Sequence, residues 1–150
     1  MPPVLQIAID CHDADRLISF WTAALGYVTE PPPDGWDSWL AYWQAAGIPD
    51  EDLEGAEKGS GAIIDPTGRG PRLFFQEVPE PKVVKNRVHL DIKLTGGLRV
   101  PLQERRALVD GEVERLVGLG ATVAYRNAPE GSDYYAFTLH DPEGNEFCVV

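Results

Sequence analysis

The sequence has few cysteines, few basic residues and no long uninterrupted apolar stretch. Its two cysteines, Cys11 and Cys148, are too few for a disulfide scaffold, and we expect both to be free thiols. Lys and Arg number 13 against 24 Asp and Glu, which gives a formal net charge of −11. This balance repels phosphate backbones and anionic membrane surfaces, so we expect neither a nucleic-acid nor a membrane partner. An anionic ligand would have to meet a local positive patch.

Signals for targeting and for several kinds of catalysis are also absent. The N-terminal Met1-Pro2-Pro3-Val4 has no basic flank and no long apolar region after it, so we expect no signal peptide, no membrane span and a cytoplasmic protein. The sequence has no nucleophile elbow, zinc-protease motif or phosphate-binding loop. At 150 residues, the chain is long enough to bury one core as a single domain, residues 1–150.

The sequence does contain one kind of turn twice. Asp65-Pro66-Thr67-Gly68 and Asp141-Pro142-Glu143-Gly144 share the pattern Asp-Pro-x-Gly, which is typical of tight turns. An apolar, strand-like run follows each turn. Earlier in each half, residues 5–10 and 88–94 alternate between apolar and polar side chains, as half-buried strands do. The sequence is therefore predicted to repeat one β-α-β-β-β unit.

Helical spacing predicts one main helix in each half. In the first half, Asp13 or Asp15 is the predicted N-cap and Gly26 the terminating glycine. In the second half, the predicted apolar stripe consists of Val113, Leu116, Val117 and Leu119. Two insertions distinguish the halves. One is residues 34–60, with a short helix over 38–46 and a solvated acidic segment over 50–58, and the other is residues 95–106.

These elements predict an α+β fold of two βαβββ modules, about residues 1–80 and 83–150, whose curved sheets form a partly open, barrel-like arrangement. One helix covers only one face of its sheet, so the other face must be covered or must line a pocket. The alternation places Gln6, Asp10, His89 and Asp91 on that second, concave face. A solvent-facing sheet would show the same alternation. That simpler interpretation suits Gln6 or Asp10 alone, whereas His89 with its repeat partner Gln6 favours a ligand site.

Four segments of the sequence are distinctive: Ile9-Asp10-Cys11-x-Asp13, Phe20-Trp21-x-x-x-Leu25-Gly26, Val88-His89-Leu90-Asp91 and the closing Asp-Pro-Glu-Gly-Asn-Glu-Phe-Cys. These segments resemble the vicinal-oxygen-chelate (VOC) superfamily, which includes glyoxalase I, extradiol dioxygenases and bleomycin-resistance proteins. A glyoxalase-like subgroup common in actinobacteria is also similar around residues 70–76, 85–89 and 100–106. The resemblance covers essentially the whole chain. It implies the fold more firmly than the function, because this fold hosts several chemistries.

The resemblance also implies where a metal would bind. Metal-dependent members of the superfamily place four ligands at positions that correspond to Gln6, Gln76, His89 and Cys148. Two of these positions normally hold carboxylates, and here they hold Gln76 and Cys148. Oxygen-rich sites for Fe²⁺, Mn²⁺ or Ni²⁺ need carboxylates, whereas a Cys/His pair suits Zn²⁺. The resemblance therefore leaves both a divalent-metal site and a metal-free site open.

Two further features have alternative interpretations. Trp39 and Trp43, with Trp36 and Tyr42, could form a satellite core or a lid over an apolar ligand. Cys148 could be a ligand or pocket thiol, or a small buried apolar side chain.

We consider three functional classes. The first is a protein similar to bleomycin-resistance proteins, which binds a small apolar or aromatic molecule in the cleft without metal and forms a homodimer. The second is a metal-dependent lyase, isomerase or dioxygenase in which Gln6, Gln76, His89 and either Cys148 or Glu146 hold a metal that polarises a substrate oxygen. The third is an interaction module with an inert cleft. Candidate ligand-binding residues for the first two classes are Gln6, Asp10, Trp39, Trp43, Gln76, His89, Asp91 and Cys148.

Overall fold

The computed structural model describes residues 3–150, which divide into a first unit ending at Pro79 and a second unit, Glu80–Val150. The first unit contains, in order, β1 (Gln6–Cys11), α1 (Ala14–Leu25), β2 (Val28–Thr29), α2 (Trp39–Ala45), β3 (Ala62–Ile64) and β4 (Arg72–Glu77). The second contains β5 (Leu90–Ile92), α3 (Leu102–Gly118), β6 (Thr122–Asn127), β7 (Ala136–His140) and β8 (Glu146–Val149). Short 3-10 turns lie at Asp50–Asp52, Ala56–Lys58 and Gly97–Arg99.

Each unit forms its own four-stranded mixed sheet, and the two sheets have the same topology. The strand orders are β1-β4-β3-β2 and β5-β8-β7-β6. In both, the first strand of the unit is parallel to the last, and the other neighbours are antiparallel. The predicted α+β fold of two βαβββ modules is therefore confirmed.

The two Asp-Pro-x-Gly turns have the same local structure. The amide of Gly68 donates to Asp65 O at 2.9 Å, and the amide of Gly144 donates to Asp141 O at 2.9 Å. Both glycines have positive φ angles, 69° and 86°, which a residue with a side chain rarely adopts. The repeat seen in the sequence is therefore present in the backbone.

Helix α1 follows its predicted signals closely. The Asp13 carboxylate accepts a hydrogen bond from Arg16 N at 3.0 Å, and Gly26 ends the helix at φ 67°. The buried residues of α1 are Leu17, Phe20, Trp21 and Ala24, and the buried residues of the sheet include Ile63, Leu73 and Phe75. The core of the first unit therefore lies between α1 and one face of its sheet.

Helix α3 differs from the prediction in its buried face. Its buried residues are Arg105, Val109, Val113 and Leu116, whereas Val117 and Leu119 are 44% and 39% exposed. Arg105 can be buried because its guanidinium donates to Val100 O at 2.9 Å and to Asp133 O at 2.7 Å. The predicted stripe was therefore wrong for Val117 and Leu119, and the insertion before α3 is shorter than predicted.

Two other segments also differ from the sequence prediction. Strand β5 covers only Leu90–Ile92, so His89 lies in the connection before the strand. The acidic segment 50–58 contains two buried residues, Leu53 and Ala56, so it is not simply solvated. Among residues 3–150, no helix combines the length and apolar character needed to cross a membrane.

Candidate functional site

The first unit has a polar sheet face on the side away from α1. The parallel register of β1 and β4 places Gln6 opposite Arg72, and Asp10 opposite Gln76. Between these pairs, Ala8 lies opposite Phe74. Gln6, Ala8 and Asp10 are exposed, whereas Leu73 and Phe75, which alternate with the β4 members of this face, are buried. The strand geometry therefore brings Gln6, Asp10 and Gln76 to one surface.

Arg72 dominates the charge of this face. Its Nη1 donates to the amide oxygen of Gln6 at 2.6 Å, and its Nε and Nη2 donate to the two carboxylate oxygens of Glu30 at 2.8 and 2.6 Å. The hydrogen bonds from Arg72 lower the pKa of Glu30, although burial acts in the opposite direction. The guanidinium is therefore fixed, and one of its N–H groups is directed at Gln6.

Gln76 is not the register equivalent of Cys148. In the second unit, Cys148 pairs with Asp91, one residue after the Leu90–Phe147 pair. Ile63 and Leu139 each lie two residues before the Asp of their turn and pair with Leu73 and Phe147, so Leu73 corresponds to Phe147. The equivalent of Cys148 is therefore the next residue of β4, Phe74. Gln76 lies two residues further along β4. The first unit therefore has an aromatic ring where the second has a thiol.

The polar face of the second unit is a row across three strand pairs. Asp91 pairs with Cys148, Cys148 with Thr138, and Thr138 with Tyr125. The half-buried Cys148 Sγ lies 3.5 Å from Thr138 Oγ1. Burial raises the pKa of Tyr134, and electrostatic interaction with Cys148 and Asp91 raises it further, so Tyr134 lies near this row without being part of it. The structure therefore brings Asp91 and Cys148 together.

His89 lies beside cationic residues just before β5. Its Nε2 is 2.8 Å from Lys85 Nζ and 3.1 Å from the backbone oxygen of Asn86. An open groove of about 670 Å³ is lined here by Val84, Lys85, Asn86, Arg87 and His89. None of the lining residues is acidic. The groove is therefore a positive region on a chain of net charge −11.

Glu146 holds this connection against β8. Its Oε2 accepts a hydrogen bond from Asn86 N at 2.9 Å and lies 3.2 Å from Lys82 Nζ. Burial raises the pKa of Glu146, but hydrogen bonds from the amides of Asn86 and Glu146 itself and the contact with Lys82 outweigh it and lower the pKa to about 2. Glu146, which lies on the same face of β8 as Cys148, is therefore engaged in holding the chain.

The aromatic residues of the first-unit insertion contact one another around α2. Trp39 lies 5.2 Å from Trp43 and 5.8 Å from Tyr42, measured between ring centroids, and Trp36 lies 5.8 Å from Tyr42. The indole N–H of Trp39 donates to Glu30 O at 2.9 Å. No residue of α2 is fully buried. The cluster therefore packs on itself and still presents aromatic surface to solvent.

The donors at the implied metal positions do not fit a divalent cation as they stand. The atoms of Gln6 and His89 that would bind a metal, Oε1 and Nε2, each have a cationic side chain within hydrogen-bond distance. The third implied ligand, Gln76, is a neutral amide. A cation at this distance opposes the binding of a second cation. Within the part of the chain that the structure describes, no group of three or more His, Cys, Asp or Glu side chains is placed to hold a metal ion.

Sequence reasoning did not identify Arg72, Lys85, Thr138 and Tyr134 as neighbours of the predicted site residues. For Lys85 a signal was available, because Lys85-Asn86-Arg87 is a basic run directly before His89 in an acidic chain. For Arg72, Thr138 and Tyr134, their positions depend on strand register and loop geometry, which no local pattern specifies.

Comparison with known proteins places these observations in a family. The sequence matches the model of the glyoxalase-like domain over residues 6–150. No protein of curated function matches the sequence significantly.

Solved structures with the same fold share little sequence with the chain. A glyoxalase/bleomycin resistance protein/dioxygenase family enzyme from Burkholderia phytofirmans PsJN has a TM-score of 0.56 and 16% identity, with 96% of this chain and 94% of that chain covered. The fosfomycin resistance protein FosX from Listeria monocytogenes has a TM-score of 0.60 and 11% identity, with coverages of 99% and 92%. A mutant of that protein, complexed with Mn(II) and 1S,2S-dihydroxypropylphosphonic acid, has a TM-score of 0.58 and 12% identity, with coverages of 99% and 89%.

At these identities the solved structures are similar in fold alone, whereas the family match extends over nearly the whole sequence. The chain therefore belongs to the glyoxalase-like domain family.

Proposed function

We propose that this protein binds a small molecule with an apolar or aromatic body on its polar sheet faces, and that it does so without a divalent metal. The observation that supports the proposal most directly is that two implied metal ligands are each in contact with a cationic side chain of the protein. Arg72 Nη1 lies 2.6 Å from Gln6 Oε1, and Lys85 Nζ lies 2.8 Å from His89 Nε2.

These cationic side chains oppose metal binding because a metal ion would have to replace them. A metal at Gln6 would have to displace Arg72, and a displaced guanidinium would leave the half-buried Glu30 carboxylate without its bidentate partner. In compensation the metal would gain a neutral amide, which is a weak ligand for Fe²⁺, Mn²⁺ or Ni²⁺. The exchange is therefore unfavourable.

The apolar or aromatic character of the ligand is supported by two features of the first unit. Phe74 lies on the polar face between Arg72 and Gln76, so this face carries an aromatic surface among its hydrogen-bonding groups. Trp39 and Trp43 are half-buried and stack in a tilted arrangement. Aromatic walls with a few polar groups are typical of small-molecule sites.

The proposal is tested by quenching of tryptophan fluorescence with nitrobenzene, a neutral aromatic. We expect saturable quenching that is the same in EDTA and in added Zn²⁺ or Mn²⁺. Trp43→Phe should remove most of the saturable component, and Trp36→Phe, which alters a more exposed member of the cluster, serves as the matched control. Quenching that saturates only after metal is added would contradict metal-free binding. Quenching that rises linearly with nitrobenzene concentration, as it does for free N-acetyltryptophanamide, would contradict binding itself.

A second candidate is a metal-dependent lyase, isomerase or dioxygenase. The pairing of Asp91 with Cys148 favours it, because a carboxylate and a thiol are then neighbours on one face. Under this alternative, Zn²⁺ would bind stoichiometrically, and Cys148→Ser would abolish the binding.

The proposal also includes a homodimer, which the superfamily resemblance implies. Light scattering at two concentrations that differ tenfold tests it. We expect the mass of two chains, and the mass of one chain at both concentrations would contradict it.

A further inference from the structure

The proposed function uses the Lys85–His89 contact of the groove before β5 only as an argument against a metal, and it gives the cations of the groove no role. The five lining residues of the groove all lie within the connection from Val84 to His89. Lys85 and Arg87 are exposed, and His89 is half-buried. The groove is open and has a volume of about 670 Å³, which leaves room for a small ligand beside these residues.

The positive charges of this groove are not neutralised by carboxylates. Among residues 3–150, no carboxylate forms an ion pair with Lys85 or Arg87, whereas the neighbouring Lys82 is paired with Glu146. In a chain of net charge −11, two cations that line one groove without an acidic ion-pair partner form a local site of attraction for anions.

The contacts of His89 leave hydrogen-bonding capacity unused. Its Nε2 faces both Lys85 Nζ, which can only donate, and Asn86 O, which can only accept. A single ring nitrogen of a neutral histidine either accepts or donates, so it cannot satisfy both neighbours. The Lys85 ammonium has three N–H donors, and its contacts with His89 and, at 3.5 Å, with Asn86 O use at most two of them. At least one strong donor is therefore left for a ligand.

The groove is also held in place rather than left loose. The amide of Asn86, between the two cations, donates to Glu146 Oε2 at 2.9 Å, and Glu146 belongs to β8. This bond fixes the centre of the connection to the sheet. The backbone between Lys85 and Arg87 is therefore held, and it loses less conformational freedom when a ligand binds.

We infer that this groove binds the oxyanion of a small molecule, a carboxylate or a phosphoryl group, through Lys85, Arg87 and His89, with the apolar part of the ligand on Val84. The inference rests on the proposed small-molecule binding and specifies the ligand as anionic. The two oxyanions share their chemistry, because both accept several hydrogen bonds from cationic donors.

The test is an NMR titration of the ¹⁵N-labelled protein at neutral pH and low ionic strength with three probes. Benzoate supplies a carboxylate, phenylphosphonate a phosphoryl group, and benzamide is a neutral molecule of nearly the same shape. We expect saturable shifts at the amides of residues 84–89 with at least one anion and none there with benzamide. The anion with the lower Kd identifies the preferred oxyanion. Added salt should weaken the binding.

Charge variants test whether anion binding depends on the groove residues or only on the net charge of the protein. Lys85→Gln and Arg87→Gln should each raise the Kd of the preferred anion by about tenfold, as expected for loss of a charged hydrogen bond. Lys93→Gln changes the net charge equally at another exposed lysine of the same unit and should leave the Kd within about twofold. Lys85 and Arg87 are exposed, so the variants should fold, and the same spectra report folding directly.

Two results would overturn the inference. One is the absence of saturable anion-induced shifts at residues 84–89, and the other is equal weakening by all three variants. Binding of nitrobenzene or benzamide elsewhere, with this groove silent, would overturn the inference and leave the proposed function standing. Anion binding at the groove without nitrobenzene binding would support the oxyanion site and contradict the aromatic surface of the first unit.

Discussion

The guanidinium of Arg72 donates a hydrogen bond to the side-chain amide of Gln6 across the parallel pair of β1 and β4, at 2.6 Å. The same guanidinium is held by both oxygens of Glu30. A position that the superfamily resemblance assigns to a metal ligand therefore carries a fixed positive charge. In the second unit, Lys85 has the corresponding relation to His89. The protein thus has cationic groups beside two residues that the superfamily resemblance implies as metal ligands.

The first prediction concerns the contribution of Arg72 to stability. Arg72→Gln should lower the free energy of unfolding by about 1.5–3 kcal/mol, because a half-buried carboxylate loses its charged partner. The pKa of Glu30 should rise toward its usual value, since hydrogen bonding from Arg72 is the main cause of its depression. Urea unfolding measures the first effect and ¹³C NMR titration the second. Arg16→Gln, at an exposed position of α1, is the control. Equal effects of the two substitutions would mean that the Arg72–Glu30 pair is not stabilising.

The second prediction concerns acid stability. The pKa of Glu146 is about 2 in the folded protein, below its usual value of 4.5. Its contribution to stability is therefore complete above about pH 5 and is lost as the pH falls toward 2. Glu146→Gln should be less stable than the natural protein at pH 7, and the difference should shrink as the pH approaches 2. Urea unfolding at several pH values measures this, with the exposed Glu130→Gln as control. A difference that stays constant with pH would show that the carboxylate charge is not responsible.

The third prediction compares the two turns. Asp141 is 3% exposed and accepts hydrogen bonds from the amides of Glu143 and Asn145 and from the side chain of Asn145. Asp141→Ala should therefore lower the free energy of unfolding by about 2–4 kcal/mol.

Asp65 makes similar bonds to the amides of Thr67, Arg69 and Gly70, but those bonds are more exposed to water. Asp65→Ala is therefore the matched comparison, and it should cost less. Equal losses would show that burial does not set the strength of these turns.

The helices and strands could largely be predicted from the sequence, but which face of each element is buried could be predicted less well. Local signals identified α1, because Asp13 and Gly26 are its own capping residues, and they identified α2 from Ser38. The repeated turn predicted the duplicated unit. By contrast, the buried face of α3 depends on Arg105, which is satisfied by carbonyls distant in sequence, and apolar spacing does not reveal such a partner.

The candidate site was also predicted only in part. The alternation of β1 placed Gln6 and Asp10 on one face, and β-strand geometry is sufficient for that prediction. The neighbours of these residues come from strand register. No feature of the sequence alone specifies that Arg72 lies opposite Gln6, or that Phe74 rather than Gln76 corresponds to Cys148. The chemistry of the face therefore required the structure.

The most direct test of metal-free binding is the metal content of the protein. The chain should be purified without chelator, incubated with excess Zn²⁺, Mn²⁺, Fe²⁺ or Ni²⁺, desalted and analysed by inductively coupled plasma mass spectrometry alongside His89→Ala. Because cations already lie on Gln6 and His89, we predict far less than one metal ion per chain, with no difference between the two proteins. One tightly held metal ion per chain, lost in His89→Ala, would contradict the account.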